Sequence, residues 1–319
     1  MAKSSTLEVQ SRENAGSAVG TPGSRWWVNV RPTVYGYLFL APYLVLYLAF
    51  LVYPLIQGFW ISLNHWDLLG SDVSFAGLDN YRRLTQDPAF WSSLAHTLYF
   101  VLLSSPILIA LGLGLAMLLN RPFRGIGLLR TLIYLPTVLS VSVASTIWLK
   151  IYDPQYGLIA DIFKGLGLAP VKWVLQDLNL AMPAVILATI WWTVGANMLF
   201  FLAGLQDIPG EIYEAAKLDG ANGWVLFLNV TLPGLRRTFT FVTVIQVIAS
   251  LQVFGQIYIM TQGGPIGTTR VLVQYVIEKS FRDFEVGYGS AMGYVLFIIM
   301  IVLSSITFRS FTRTERESS

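Results

Sequence analysis

Few residues in this chain could do chemistry, and they fall into three groups. The stretch "EIYEAAKLDGANGWVLF", residues 211–227, holds Glu211, Glu214, Lys217 and Asp219 close together. Upstream, Asp67, Asp72, Asp79 and Asp87 form no D-x-D pair and have no cation cluster beside them, so they read as a solvated loop rather than a metal or phosphate site. The third group is neutral. "ATIWWTVGANMLFF" contributes Thr189, Trp192, Thr193 and Asn197, and "IQVIASLQVFGQ" contributes Gln246, Ser250, Gln252 and Gln256. Amides, hydroxyls and aromatic faces hold sugars, at about 0.5–1.5 kcal/mol net per hydrogen bond. The same groups also hold membrane helices to one another. Gln246 and Ser250 are four apart and share a helical face, and Gln252 and Gln256 share a neighbouring one.

Other chemistries are excluded by what is missing. With only His65 and His96 and no cysteine, a His-rich or thiolate metal site, disulfides and thiolate catalysis are out. No G-x-x-x-x-G-K-[ST] occurs, so the chain has no P-loop of its own. The net charge of +3 is spread along the chain and forms no nucleic-acid patch.

The elements that must carry these residues are membrane helices. The chain of 319 residues is 55% hydrophobic and 12% charged, with a mean hydropathy of +0.60, against about 25% charged in a soluble domain. Six runs reach the roughly 20 apolar residues a spanning helix needs: Tyr35–Leu63, Thr97–Leu119, Thr131–Leu149, Ala181–Leu205, Thr238–Met260 and Val286–Phe308. None contains Asp, Glu, Lys, Arg or His. A proton or sodium relay needs an ionisable group at depth, at a cost of about 2.5–3.5 kcal/mol, and an intramembrane protease needs its own acids or bases there. Uphill movement would therefore draw its energy from another subunit. Pro42, Pro54, Pro106, Pro136 and Pro183 lie in or near the runs as tolerated kinks. The first run reads as a retained span rather than a signal peptide, and residues 1–24 as a disordered tail. Thirteen Lys and Arg fall on the side of both termini and eight on the other, which predicts cytoplasmic termini and a cytoplasmic 206–237 loop. In the sixth run, Gly289 and Gly293 form a G-x-x-x-G expected to pack closely, with Tyr288 and Tyr294 as packing or interface residues.

Within that loop, "PGEIYEAAKL" predicts a short helix with Glu211 in its first turn. Gly220 breaks it, Asp219 or Asn222 caps the next turn, and "GWVLFLNVTLP" predicts a second, apolar helix ending at Pro233. An amphipathic hairpin resting on lipid headgroups would carry Lys and Arg on its polar face. This face is mainly acidic, which favours a protein partner.

"EAAKLDGANGWVLFLNVTLP" resembles the EAA loop of binding-protein-dependent ABC importer permeases. That pattern falls on Glu214, Ala215, Ala216, Asp219, Gly220, Ala221, Phe227, Leu232 and Pro233, with Arg236 and Arg237 where the family often has a further proline. "FAGLDNYRRLTQDPAFW" and "LPTVLSVSVASTIWLKIYDPQYGLI" resemble the corresponding stretches of carbohydrate-type permeases, and "TQGGP" resembles a mark of the first permease of maltose-type and glycerol-phosphate-type importers. The resemblance implies an all-α membrane protein with six transmembrane helices in the type I ABC importer permease fold. It divides the chain into a cytoplasmic tail 1–34, a permease domain 35–308 with its coupling loop 206–237, and a cytoplasmic tail 309–319. It implies a second permease subunit, two copies of a cytoplasmic ABC ATPase that bind the ATP, an extracytoplasmic solute-binding protein, no cofactor of the chain's own, and a bacterial or archaeal plasma membrane. Glu214, Ala215, Ala216, Asp219, Gly220 and Ala221 would engage the ATPase. Thr189, Trp192, Thr193, Asn197, Gln246, Ser250, Gln252 and Gln256 would line a sugar path, since the corresponding spans do so in the maltose-type family. The alternatives are an importer of glycerol-3-phosphate or another small polar solute and, from another class, a membrane-embedded transferase.

Overall fold

A computed structural model describes residues 36–316 except 68–69, 71–72 and 168–172, with the backbone alone for 310–316. The expected 1–34 tail, Asp72 and the last three residues of the C-terminal tail lie outside the described residues. The chain divides after Gly58 into two compact units.

All six apolar runs are helical, and four of them are single long helices: α1 (Gly36–Ser62), α3 (Pro88–Leu119), α7 (Ala181–Gln206) and α13 (Val286–Arg316, apolar to Arg309). Between the first two lie a two-stranded antiparallel ribbon, β1 (Asn64–His65) and β2 (Ser74–Phe75), and the short helix α2 (Asp79–Thr85). α3 starts well before its apolar run because Pro88 occupies its first turn and Asp87 caps it, accepting from the N–H of Ala89 at 2.8 Å and Phe90 at 3.3 Å.

The other two runs are not straight spans. The run expected at 131–149 is two helices, α4 (Ile126–Val138) and α5 (Val141–Ile151), bent by 99°. Pro136 removes one helical donor, Leu139 and Ser140 turn extended, and Ser140 caps α5 through the Val143 N–H. After it comes α6 (Leu158–Gly165). The run expected at 238–260 is α10 (Arg236–Leu251) and α11 (Gly255–Met260), separated where Phe254 leaves helical geometry. Gln252 and Gln256 therefore lie on either side of a break and do not share a helical face as the spacing predicted. Between α7 and α10 stand α8 (Gly210–Leu218) and α9 (Gly223–Gly234). α12 (Leu272–Ile277) precedes α13.

Packing is densest where α3 lies along α7. Gly112 permits that approach: a Cβ there would come within 2.7 Å of Asn197 Cβ. One core cluster joins Phe100 and Leu108 of α3 to Val185 of α7 and Ile257 of α11. A second joins Phe90, Tyr275, Tyr288 and Met292, and a third joins Met198 and Phe201 to Leu235 and Val242. Tyr288 is thus a packing residue. The G-x-x-x-G is only half a contact, because Gly289 abuts Ser280 while a Cβ at Gly293 would meet nothing within 4 Å.

Candidate functional site

Two candidate sites and one scaffold emerge. The first is the hairpin of α8 and α9. Gly220 has φ +83°, the left-handed conformation that glycine adopts without penalty. Its N–H donates to Lys217 O at 3.0 Å, and the Ala221 N–H donates to Ala216 O at 3.0 Å. Those two bonds close the end of α8. Asn222 then opens α9, its side-chain oxygen accepting from Trp224 N–H at 3.1 Å and Val225 N–H at 3.0 Å. Of the two cap candidates, Asn222 takes the role and Asp219 ends α8. Glu214, Ala215, Asp219 and Gly220 are exposed, and Ala216 and Ala221 are half-buried. Leu218 is 89% exposed and Trp224 68%, one on each side of the turn. Large apolar side chains presented beside acids in this way suit a protein surface. α9 does not stop at Pro233 but runs to Gly234, through a π-helical turn at Phe227–Thr231.

The second site is a set of neutral polar groups where α3, α7 and α10 meet. Asn197 Nδ2 donates to Gln246 Oε1 at 3.1 Å, Gln246 Nε2 donates to Ser250 Oγ at 3.0 Å, and Ser105 Oγ donates to Ser250 Oγ at 3.1 Å. Ser104 Oγ lies 3.4 Å from the same oxygen. Asn197 and Ser250 are buried and Gln246 partly so. Ser104 and Ser105 were missed in the sequence, although "SSP" inside an apolar run marks them. Thr193 bonds back to Thr189 O. Gln256 Nε2 reaches Thr189 Oγ1 at 3.4 Å from α11, apart from the Asn197 chain. Trp192 Nε1 donates to Leu139 O at 3.0 Å, while Thr137 donates to Trp192 O, so the indole also latches the α4–α5 bend. Gln252 is exposed and contacts Met300 Sδ. Thr189, Trp192 and Gln256 line a narrow cleft with Ser145 and Trp148. There Ser145 Oγ and Trp148 Nε1 are buried without a hydrogen-bond partner among the described residues.

The scaffold is charged, and it occupies what the sequence suggested was a plain loop. The second oxygen of Asp87 accepts from Tyr275 OH at 2.7 Å and Tyr288 OH at 2.6 Å. Partial burial pushes the Asp87 carboxyl up, but these two hydroxyls and the capped N–H groups outweigh it and hold the carboxyl below its usual range. Arg83 lies 4.1 Å over the Tyr288 ring and grips both oxygens of Glu285, at 3.0 and 2.9 Å. Burial works against the charge of Arg83, and the Glu285 carboxylate raises its pKa regardless. Asp79 pairs with His65 at 3.4 Å.

Residues 86–317 match the model of the binding-protein-dependent transport system inner membrane component family. This chain belongs to that family. As an inner membrane component of such a system it is a multi-pass membrane transport protein, not an enzyme, and the family has no cofactor of its own. It is 37% identical to the lactose transport system permease LacF of Rhizobium radiobacter over 281 residues, 86% of this chain and 93% of that one. It is 36% identical to the arabinooligosaccharides permease AraP of Bacillus subtilis, covering 86% and 87%. It is 34% identical to the sn-glycerol-3-phosphate permease UgpA of Agrobacterium fabrum, covering 86% and 93%. In fold, the inner membrane component resembles a chain of a bacterial ABC transporter that imports the acidic polysaccharide alginate, with TM-score 0.79 at 22% identity over 91% of this chain and 99% of that one.

Proposed function

We propose that this chain is a permease subunit of an ABC importer for a neutral carbohydrate, with both termini in the cytoplasm. The observation that carries the reading is the α8–α9 hairpin: an exposed, acidic and alanine-bearing pair of helices joining two apolar runs, with Leu218 and Trp224 held outward at its turn. A cytoplasmic ATPase that binds the ATP docks on Glu214, Ala215, Ala216, Asp219, Gly220 and Ala221. Two such ATPases, a second permease and an extracytoplasmic binding protein complete the machine, which works in a bacterial or archaeal plasma membrane.

The path for the solute runs beside α7 and α10–α11. Asn197, Gln246 and Ser250 are committed to one another, so they shape the wall. Thr189, the Trp192 ring and Gln256 in the cleft, with the spare donors of Ser145 and Trp148, are the groups offered to the solute, and Thr193 lies one turn further along α7. A wall of amides, hydroxyls and indoles without an ionised group suits sugar hydroxyls. The relatives named for lactose and arabino-oligosaccharides point the same way. The UgpA relative supports a second reading, glycerol-3-phosphate, in which the partner permease supplies the cation for the phosphate.

The test is uptake by proteoliposomes holding the complete transporter and its binding protein. Radiolabelled lactose, maltose, arabino-oligosaccharide and sn-glycerol-3-phosphate are compared. ATP-dependent uptake of a sugar is expected. Uptake of glycerol-3-phosphate in preference to every sugar would replace the carbohydrate reading with the second one.

A further inference from the structure

The coupling reading says where the ATPase docks. It leaves open how a push on α8 reaches the membrane helices, because α8 and α9 are joined by a glycine turn that could flex. The structure holds a second connection. Tyr213 OH lies 3.0 Å from Thr231 Oγ1, across the hairpin from the first helix to the second. The direction of that bond follows from its neighbour. Thr231 Oγ1 donates its own hydrogen to Leu226 O at 3.3 Å, so its lone pair accepts and Tyr213 donates. Leu226 lies immediately before the π-helical turn Phe227–Thr231, where the regular i to i+4 ladder is interrupted. The Thr231 hydroxyl therefore serves the carbonyl at that bulge and the tyrosine together. Thr231 is 5% exposed, in a hairpin whose first helix has no buried residue.

The hairpin is thus closed at three levels. Gly220 and Asn222 close its tip. Ile208 closes its base against Gly234, where an added Cβ would come within 2.7 Å of Ile208 Cδ1. Tyr213 and Thr231 close its middle. From Thr231 the chain continues directly into α10: Leu235 N–H donates to Thr231 O at 2.9 Å, and Phe239 N–H to Leu235 O at 2.7 Å. α10 then carries Gln246 and Ser250 into the polar wall.

Resting on the coupling reading, we infer that the Tyr213–Thr231 hydrogen bond is a positioning clip that makes α8 and α9 move as one body, so that displacement of Glu214 is delivered to α10 instead of being absorbed at Gly220. With no buried residue in its first helix, the hairpin has little packing of its own to keep it rigid, which is what the bond supplies.

The experiment places nitroxide labels on Lys217→Cys and Asn229→Cys, which are exposed on the two helices of a chain with no native cysteine. Interlabel distances are read by pulsed electron resonance in the assembled transporter, without nucleotide and trapped with ATP and vanadate. The parent is expected to give one narrow distance that is the same in both states. Tyr213→Phe and Thr231→Val, each deleting one partner of the bond, are expected to broaden it in the trapped state. Thr231→Ser, which keeps the hydroxyl, is expected to restore the narrow distance. All three are expected to co-purify with the ATPase. A narrow, unchanged distance in Tyr213→Phe overturns the clip, as does a parent distance that changes on trapping, or a Thr231→Ser distance as broad as that of Thr231→Val. Loss of the ATPase from Tyr213→Phe also overturns it, because the tyrosine is then part of the docking surface. A Glu214→Lys transporter that assembles and transports normally would instead remove the coupling reading while leaving the distance result intact.

Discussion

Tyr288 donates its hydroxyl to Asp87 at 2.6 Å, tying the first turn of α13 to the residue that caps α3. Tyr275 donates to the same carboxylate oxygen at 2.7 Å, so one aspartate ties the neighbouring helices α12 and α13 to the start of α3, 188 and 201 residues away in sequence. The other oxygen of Asp87 is occupied by the helix cap, which leaves the carboxylate fully committed.

Asp87→Ala is therefore expected to cost more than a lost cap, which alone is worth about 0.5–2 kcal/mol. It also leaves two phenolic hydroxyls without their acceptor. Melting in detergent should fall by several degrees, and by less for Asp87→Asn, which keeps an acceptor. The folded carboxyl titrates below the ordinary aspartate value of about 3.9. Its stabilisation is thus present above that value and is lost as pH falls through the folded one. On acidification from about pH 5 to about pH 3 the parent should lose more melting temperature than Asp87→Asn does. Parallel acid curves would refute this.

Gly220 sits at φ +83° and its N–H serves the Lys217 carbonyl. Gly220→Ala keeps the donor and meets only the left-handed penalty of about 1–2 kcal/mol, so it should retain measurable transport. Gly220→Pro fixes φ near −65° and deletes the donor, so transport and binding-protein-stimulated ATP hydrolysis should fall together. Equal activity of the two variants would show that the turn geometry is immaterial.

In the polar wall, Gln246→Leu removes the acceptor of Asn197 Nδ2 and the donor to Ser250 at once. Asn197 Nδ2 then keeps only its longer bond to Thr193 O at 3.4 Å, and a buried amide proton left without an acceptor costs about 1–3 kcal/mol, so the variant should melt earlier. The double variant Asn197→Leu/Gln246→Leu should recover part of that loss. Transport should drop in Gln246→Leu while stimulated hydrolysis largely survives, because the hairpin is untouched. Full additivity of the two substitutions would argue against a coupled pair.

Orientation can be tested at two described positions. Gln155→Cys, exposed after α5, should react with an impermeant maleimide on intact cells, and Lys217→Cys, exposed on α8, should react only after the membrane is opened. The reverse pattern would invert the topology.

The sequence made the apolar runs and the hairpin legible for different reasons. Hydropathy marks Ala181–Leu205 because burial in a bilayer and burial against α3 ask for the same residues. The hairpin was readable because Gly220 and Asn222 are local signals, each acting within a few positions of itself. The bend at Leu139 was not readable from hydropathy, which records composition and not direction, and its stabilising partner Trp192 lies on another helix. The break at Gln252 escaped for the same reason, since Phe254 is an ordinary residue in an extraordinary backbone position. The roles of Asp87 and Ser105 depend on partners more than a hundred residues away, which no local pattern reports.

The 99° bend between α4 and α5 also restricts how this protein can be recombined with its relatives. The Leu139 carbonyl receives the indole of Trp192, and Thr137 returns a bond to the Trp192 carbonyl, so the corner and its brace come from two separate stretches of the chain. A chimaera that takes residues 126–151 from one parent and 181–206 from another separates the corner from its brace. Crossover points outside this interval keep the pair together and should yield folded hybrids far more often than crossovers within it.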